Sequence, residues 1–334
     1  MSSAITLLDD SHDSALRRAI SNVVDTNLAI ATFAQIIDGL PTEDVAWDRS
    51  RHKLRASHPL SDHAALCPGV LDKLNAIKAD FQIESLLFSS SVLEAFQSAK
   101  EASQNFKIRL LEFTAVALHQ IAVHLFQLKA NLHDPATSQG LGIDSVVTWQ
   151  PEPDEFLVNV EPWPTLFAHQ YFTAYKQYPN GIADMVGYWA EDRILGGVAI
   201  FDRSEAWTGD DEPNVYFQSC RKWATWRVWQ LLPEQQDSLV EFLLRQPGSS
   251  ADSTDSPDGP LPLMPSRANT VRLDPGDAIP VHKVYRDTRE REPPPKRLRM
   301  QEFMAPCVVN SDDYPEMESA EDELKRLNEL HRRS

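Results

Sequence analysis

The segment YPNGIADMVGYWAEDRILGGVAIFDRSE, residues 178–205, decides the fold of this chain. Its Asn-Gly pair is a breaker, and residues 182–195 can continue from it as a helix. Gly196 and Gly197 then precede an apolar run, residues 198–202, which has the length and composition of a buried strand. We therefore predict that this segment organises a globular α+β domain with a small antiparallel sheet.

One face of the predicted helix is the first candidate site. Asp184, Tyr188 and Glu191 stack on this face if the segment is helical, and the two acids point apart if it is a strand. Two carboxylates on either side of a phenol could serve as a general acid and a general base. The alternative is a half-buried helix whose acids face solvent or pair with Arg193 and Arg203. We expect this alternative, because structural ion pairs are commoner than catalytic ones.

Histidines supply the next candidates. His169 lies among aromatic residues and completes the candidate catalytic set with Asp184 and Glu191, although a hydrogen-bonded histidine at the edge of the core is the alternative. His119 and His124 are five residues apart, so they diverge on a helix, and neither lies in an H-E-x-x-H pattern. The sequence therefore assigns no metal and no cofactor.

The loop SEAWTGDDEPN, residues 204–214, continues an acidic and aromatic region. Residues 151–219 hold 12 acidic residues, 3 basic residues and 13 aromatic residues. Such a surface suits a cationic or amine-bearing ligand or a basic protein partner, whereas a solvated loop over an aromatic core is the alternative. The candidate ligand or partner surface consists of Tyr188, Trp207, Asp210 and Asp211.

Composition places the chain among ordinary globular proteins. Its 334 residues are enough to bury a core, and 42% are hydrophobic and 24% charged. The net charge of −17 argues against general nucleic-acid binding, because phosphate binding depends on lysine and arginine. Cys67, Cys220 and Cys307 lie far apart without a C-x-x-C pair, which suits a reducing compartment.

Two segments bear on export and membranes. The N-terminal stretch MSSAITLLDDSHDS has no basic region before its apolar residues, so we expect no secretory signal. The most apolar window, residues 110–128, is interrupted by polar residues such as Glu112 and His119, which favours a buried helix over a bilayer span. We expect a soluble protein in the cytoplasm with no membrane partner.

The chain divides by composition into five parts. Residues 1–145 are predicted to be a helical region, and residues 146–244 an aromatic-rich α+β domain. Residues 245–266, rich in Ser, Pro and Asp, are predicted to be a flexible linker. Residues 267–292 are predicted to return to the same domain as a β-hairpin, and residues 293–334 to form a mostly disordered tail with a short terminal helix.

Within the aromatic-rich domain, which holds seven of the eight tryptophans, two further elements are predicted. Pro164 opens a helix whose aromatic residues recur at helical spacing up to Tyr178. Residues 223–231 alternate in the manner of a strand, with Trp223 and Trp229 on one face.

The segment PPPKRLR, residues 293–299, is the clearest short motif. Lys296, Arg297 and Arg299 cluster on a proline-stiffened stretch, which is the form of a nuclear import signal, although such clusters also arise by chance. The motif indicates access to the nucleus as well as the cytoplasm.

The block YPNGIADMVGYWAEDRILGGVAIFDR, with PNVYFQSCRKWATWRVWQLLPEQQDSLVEFLL and NTVRLDPGDAIPVHKVYRDTRERE after it, resembles a family of uncharacterised proteins of filamentous ascomycete fungi. The resemblance covers residues 158–292. Some members are encoded near secondary-metabolite gene clusters. The resemblance implies a fungal origin and a pathway context, and it implies no activity, cofactor or catalytic residue.

Three functions follow as hypotheses. The first is an accessory, non-catalytic protein of fungal secondary-metabolite biosynthesis that acts through the acidic aromatic domain. The second is an enzyme that acts on a small pathway intermediate by carboxylate and histidine acid–base chemistry. The third is a nuclear interaction protein that uses the tail. A deep pocket lined by the candidate residues would favour the enzyme, and a flat exposed aromatic patch would favour the binding protein.

Overall fold

The computed structural model of the chain describes residues 2–4, 8–48, 57–150, 162–204, 214–221, 224–225, 227–246, 256–287 and 290, together with 322, 325, 326 and 329. The helices are α1 Asp10–Val24, α2 Asn27–Asp38, α3 Glu43–Asp48, α4 Val70–Asp80, α5 Ser90–Gln97, α6 Gln104–Gln127, α7 Ile143–Val147, α8 Ile182–Leu195 and α9 Pro233–Leu244. The strands are β1 Ser2–Ala4, β2 Leu87–Ser89, β3 Val198–Asp202, β4 Val215–Gln218, β5 Val228–Gln230, β6 Arg272–Leu273 and β7 Val284–Tyr285. The predicted α+β class, with a helical N-terminal part and a small antiparallel sheet, is confirmed.

Helix α6 is the centre of the core. Ser103 caps its N-terminus by accepting a hydrogen bond from the backbone N–H of Phe106, and apolar residues cover most of its circumference. It contacts α1, α2, α5, α8 and α9. By length and composition α6 could cross a membrane, but 78% of its most apolar window is buried inside the protein. The prediction of a buried helix is therefore confirmed.

Helix α8 packs along α6 and leads into the sheet. The helix ends at Gly196, which has a φ of +106°. Any side chain there would be strained, and a Cβ would lie 1.9 Å from the backbone oxygen of Leu263. Gly196 thus lets the chain turn sharply from α8 into β3.

The main sheet has five antiparallel strands in the order β6-β5-β4-β3-β7. The predicted hairpin over residues 267–292 is wrong, because β6 pairs with β5 and β7 pairs with β3, at opposite edges. The ten residues between β6 and β7 can span about 33 Å, and the sheet needs only about 19 Å to be crossed. This crossing buries Ala278 in a core cluster with residues of β3, β4 and α8.

The second half of the predicted linker, residues 256–266, differs from the flexible segment that was predicted. Residues 256–266 pack against the core, where Leu261 and Leu263 are buried and the backbone N–H of Leu263 donates to Leu195 O at 2.8 Å. Burial of these leucines stabilises the segment, although Ser, Pro and Asp dominate its composition. Residues 247–255 and most of the predicted tail lie outside the described residues.

The predicted helix from Pro164 is wrong. Residues 162–181 are irregular apart from a 3-10 turn at Tyr175–Gln177. Two side chains there accept backbone N–H groups that a helix would use, since Thr165 Oγ1 accepts from Phe167 and His169 Nδ1 from Tyr171. The predicted strand over residues 223–231 is likewise shorter, at Val228–Gln230.

Candidate functional site

His119, near the middle of α6, lies between two carboxylates of α8. Its Nε2 is 3.0 Å from Asp184 Oδ1, and its Nδ1 is 2.9 Å from Glu191 Oε1. The two acids stack on the face of α8 that the helical spacing predicts. Because each ring nitrogen faces an acceptor, the imidazolium form makes both hydrogen bonds.

Gly187 permits this contact between the helices. It lies between the two acids on α8, and a Cβ at this position would come within 2.6 Å of His119 Cε1. The imidazole therefore packs directly against the backbone of α8.

Arg286 closes the network from the other side. The residue follows β7 and donates two hydrogen bonds to Glu191, from Nη1 to Oε2 at 2.9 Å and from Nη2 to Oε1 at 3.0 Å. Its Nε donates to Glu290 Oε1 at 3.0 Å. The guanidinium carbon also lies 5.5 Å from the ring centroid of Tyr188. The bidentate pair between Arg286 and Glu191 is among the strong forms of arginine–carboxylate hydrogen bonding.

Aromatic rings and an asparagine fix the remaining members. Tyr188 stacks on Phe172 with ring centroids 4.4 Å apart, and it meets His119 edge-on at 4.5 Å. Asp184 accepts hydrogen bonds from the backbone N–H of Asn180 at 2.8 Å and from its Nδ2 at 3.0 Å. Every carboxylate oxygen of Asp184 and Glu191 thus has a hydrogen-bond partner.

The charges of the network are set by competition between burial and pairing. Burial favours neutral imidazole, but the hydrogen bonds to Asp184 and Glu191 outweigh it and raise the pKa of His119 above its usual value. Burial would raise the pKa of both acids; the hydrogen bond from His119 instead lowers the pKa of Asp184, and the charge of Arg286 lowers that of Glu191. Burial raises the pKa of Glu290 despite its contact with Arg286.

A cavity of about 570 Å³ opens beside this network. Its apolar wall includes Phe88, Val92, Phe113 and Val116 from β2, α5 and α6. Its polar wall includes Glu112, His119, Asp184, Arg203, Arg286, Asp287 and Glu290. The volume falls within the range of small-molecule sites, which is about 300–1,000 Å³.

The structure brings together Asp184, Tyr188 and Glu191 of the predicted site residues. His169 lies elsewhere, where it is buried and its Nε2 is 3.0 Å from Gln218 O, as expected of a core-edge histidine. The histidine of the network is His119 instead. Trp207, Asp210 and Asp211, and the import candidates Lys296, Arg297 and Arg299, lie outside the described residues.

The expected partners of the two acids are wrong. Arg193 pairs with Asp48, and Arg203 pairs with Glu112. The acids are also buried rather than solvated, with 7% of the Asp184 side chain and none of the Glu191 side chain exposed. The cationic partners of the two acids are His119 and Arg286. Both lie far from α8 in the sequence, so no local pattern around α8 indicates them.

A second cluster was also missed by the sequence analysis, which assigned no metal. Asp38, His63, Cys67 and His133 are all buried, and one potential ligand atom from each lies within 4.8 Å of the others. None of the four lines the 570 Å³ cavity. The only hint in the sequence is the H-x-x-x-C spacing of His63 and Cys67.

Comparisons of the chain with protein-family models, with curated proteins and with solved structures found no match. Its function is therefore argued from the geometry of its own residues.

Proposed function

We propose that the chain is an accessory, non-catalytic protein that binds a small molecule in the cavity beside His119. One observation carries the proposal: the cavity has the volume of a ligand site, while the network at its end is already fully paired. Both nitrogens of His119 face carboxylates, and the oxygens of Asp184 and Glu191 each contact a donor. A catalytic histidine needs one nitrogen directed at its substrate, whereas a binding site needs a rigid wall.

The lining indicates the class of ligand. Four carboxyl groups and three cationic side chains line the polar wall, and Arg203 and Arg286 are engaged by Glu112 and Glu191. The aromatic and aliphatic wall opposite suits a ring or an alkyl group. We therefore expect a neutral or amine-bearing, partly apolar molecule in preference to an anion, which the net charge of −17 also disfavours.

The resemblance to fungal proteins supplies the setting of the proposal. A ligand of this class fits an intermediate or product of a secondary-metabolite pathway. Comparing the metabolites of a deletion strain with those of its parent would show which compounds depend on the protein. Those compounds are the first to test for binding. Action in the cytoplasm, with access to the nucleus through residues 293–299, stays a prediction.

Binding is tested with the purified full chain. Amine-bearing aromatic, neutral aromatic and carboxylate compounds are screened for thermal stabilisation, and hits are titrated by calorimetry. Ser91→Trp should abolish binding, because Ser91 lines the cavity and is exposed, so that the new ring enters the cavity without disturbing the core. Ser98→Trp is the matched control. Ser98 is exposed and directly follows α5, the helix that contains Ser91, and it does not line the cavity. Equal binding to both variants, or a screen without any hit, contradicts the proposal.

An enzyme that acts on a small intermediate is the second candidate. It is favoured by the protonated His119, which is hydrogen-bonded to Asp184 at the cavity wall and could pass a proton through it. Mass spectrometry of the bound compound separates the two functions. Conversion by the parent protein, with binding but at least a hundredfold slower conversion by His119→Gln, would establish the enzyme. Unchanged ligand in both proteins supports the accessory function.

A further inference from the structure

Four buried side chains converge at the junction of three separate segments. Asp38 is the last residue of α2, His63 and Cys67 lie in the loop before α4, and His133 lies in the loop after α6. Cys67 Sγ is 3.9 Å from His63 Nε2 and 3.9 Å from His133 Nδ1. Asp38 Oδ2 is 3.2 Å from His63 Nε2, and Asp38 Oδ1 is 3.9 Å from His133 Nδ1.

These separations match the edges of a metal-centred tetrahedron. A zinc ion with nitrogen and oxygen ligands at about 2.0–2.1 Å and sulfur at about 2.3 Å has ligand–ligand edges of about 3.3–3.6 Å. The four measured separations run from 3.2 to 3.9 Å, with the two Asp38 distances taken to its two different oxygens. One ligand atom from each residue lies within 4.8 Å of the others, so rotation of these side chains can bring all four onto one ion.

The outer hydrogen bonds orient both imidazoles as ligands. His63 Nδ1 lies 2.9 Å from Pro41 O, which can only accept, so Nδ1 carries a proton and Nε2 faces the cluster. The Ser138 hydroxyl donates to Leu141 O at 2.6 Å, so it accepts from His133 Nε2 at 2.8 Å. His133 Nδ1 is then the nitrogen directed inward. Metal-binding histidines are held by outer acceptors in this way.

The centre of the cluster consequently holds more lone pairs than donors, although Asp38 Oδ2 accepts from the backbone N–H of Cys67 at 3.0 Å. In their neutral forms the two imidazoles present lone pairs to a carboxylate and a sulfur atom. Asp38 Oδ1 is buried and has no hydrogen-bond partner among the described residues. The backbone N–H of Asp134 donates to Cys67 Sγ at 3.2 Å, a contact that stabilises a thiolate. Four potential ligand atoms gathered in one buried site are stabilised by a cation between them.

We propose that Asp38, His63, Cys67 and His133 bind a structural zinc ion. One thiolate and two imidazoles favour zinc over the oxygen-seeking Mg²⁺ and Ca²⁺. Four protein ligands complete the tetrahedron and leave no open position for a substrate. The buried thiol, in a residue only 4% exposed, is also out of reach for a role as a nucleophile. On binding, Cys67 gives up its thiol proton to solvent, and the ion links the three segments.

The metal content of the full chain, purified without chelators from zinc-supplemented cells, tests this assignment. We expect about one zinc ion per chain by inductively coupled plasma mass spectrometry. Replacement by cobalt(II) should give the visible bands of a tetrahedral centre and a thiolate charge-transfer band in the near ultraviolet. Removal of the metal with a strong chelator should lower the melting temperature, and zinc should restore it.

Two cysteine variants locate the ion. Cys67→Ser should reduce the zinc content at least tenfold and abolish the thiolate band. Cys220→Ser is the matched control, because Cys220 is a buried cysteine outside the cluster, and it should keep the parent content. If Cys67→Ser does not fold, the zinc content and cobalt spectrum of the parent still decide. A parent that holds no metal and takes up neither ion, a different bound metal, or full zinc content in Cys67→Ser overturns the proposal.

Discussion

His119 and Gly187 face each other across α6 and α8 so closely that a methyl group at position 187 would lie 2.6 Å from the imidazole. The imidazole is hydrogen-bonded to an acid on each side and cannot move without breaking both contacts. We expect Gly187→Ala to lower the free energy of unfolding by about 1–3 kcal/mol, as overpacking does. Urea titration measures the loss. Gly142→Ala is the control, because Gly142 has an ordinary φ of −75° and open space around it. Equal stability of the two variants would mean that the helices are not packed so tightly.

The contribution of His119 to stability should depend on pH. The folded pKa of His119 is raised by its two carboxylates against the opposing effect of burial. Its stabilisation is therefore fully present below the unfolded pKa of about 6.5 and is lost as the pH rises through the folded value. The difference in unfolding free energy between the parent and His119→Gln should be larger at about pH 6 than at about pH 9. His124→Gln, at an exposed position of the same helix, provides the comparison. A difference that grows towards high pH contradicts the protonated form.

Glu191 should be the most sensitive acid of the network. Its side chain is fully buried, and its replacement by glutamine removes one charged partner from both His119 and Arg286. Breaking a buried pair in this way costs about 3–5 kcal/mol. Asp237→Asn breaks an exposed pair with Lys107 and should change stability by about 0–1 kcal/mol. Chemical denaturation of the two variants compares them, and a loss below 1 kcal/mol for Glu191→Gln would show that the network is relaxed.

Trp189 should contribute strongly to the stability of the core. The residue is 5% exposed, and its ring lies 4.7 Å from that of Phe167. Trp189→Ala should lower the free energy of unfolding by about 3–5 kcal/mol, the usual effect of emptying a buried aromatic site. Trp163→Ala removes a ring that is 36% exposed and should lower the melting temperature much less. Equal melting temperatures of the two variants would contradict this expectation.

Local periodicity was sufficient to predict α8 and the face that carries Asp184, Tyr188 and Glu191. It was not sufficient to predict their partners. His119 and Arg286 lie 72 and 95 residues from Glu191 along the chain, so only tertiary packing brings them together. The same limit applies to the cluster proposed to bind zinc, whose side chains come from three segments. Spacing rules recognise a metal site only when its ligands share a turn or a helix.

The sheet shows a related limit. Residues 267–292 were predicted to form a hairpin, and strands do occur there at Arg272–Leu273 and Val284–Tyr285. The pairing was wrong, because turn residues do not tell whether a loop folds back or crosses a sheet. The aromatic spacing after Pro164 likewise favoured a helix, whereas Thr165 and His169 bind the backbone there. In both places contacts beyond the local pattern decided the structure.

The order of the five strands has a consequence for biosynthesis. The two edge strands of the sheet, β6 and β7, have two residues each. Both follow β3, β4 and β5 in the sequence. As a ribosome releases the chain, β3 and β5 present unpaired backbone groups until these two short strands follow. Once they pair, the edges are too short to recruit another chain. The interval before they emerge is thus the time when the nascent protein is most exposed to aggregation.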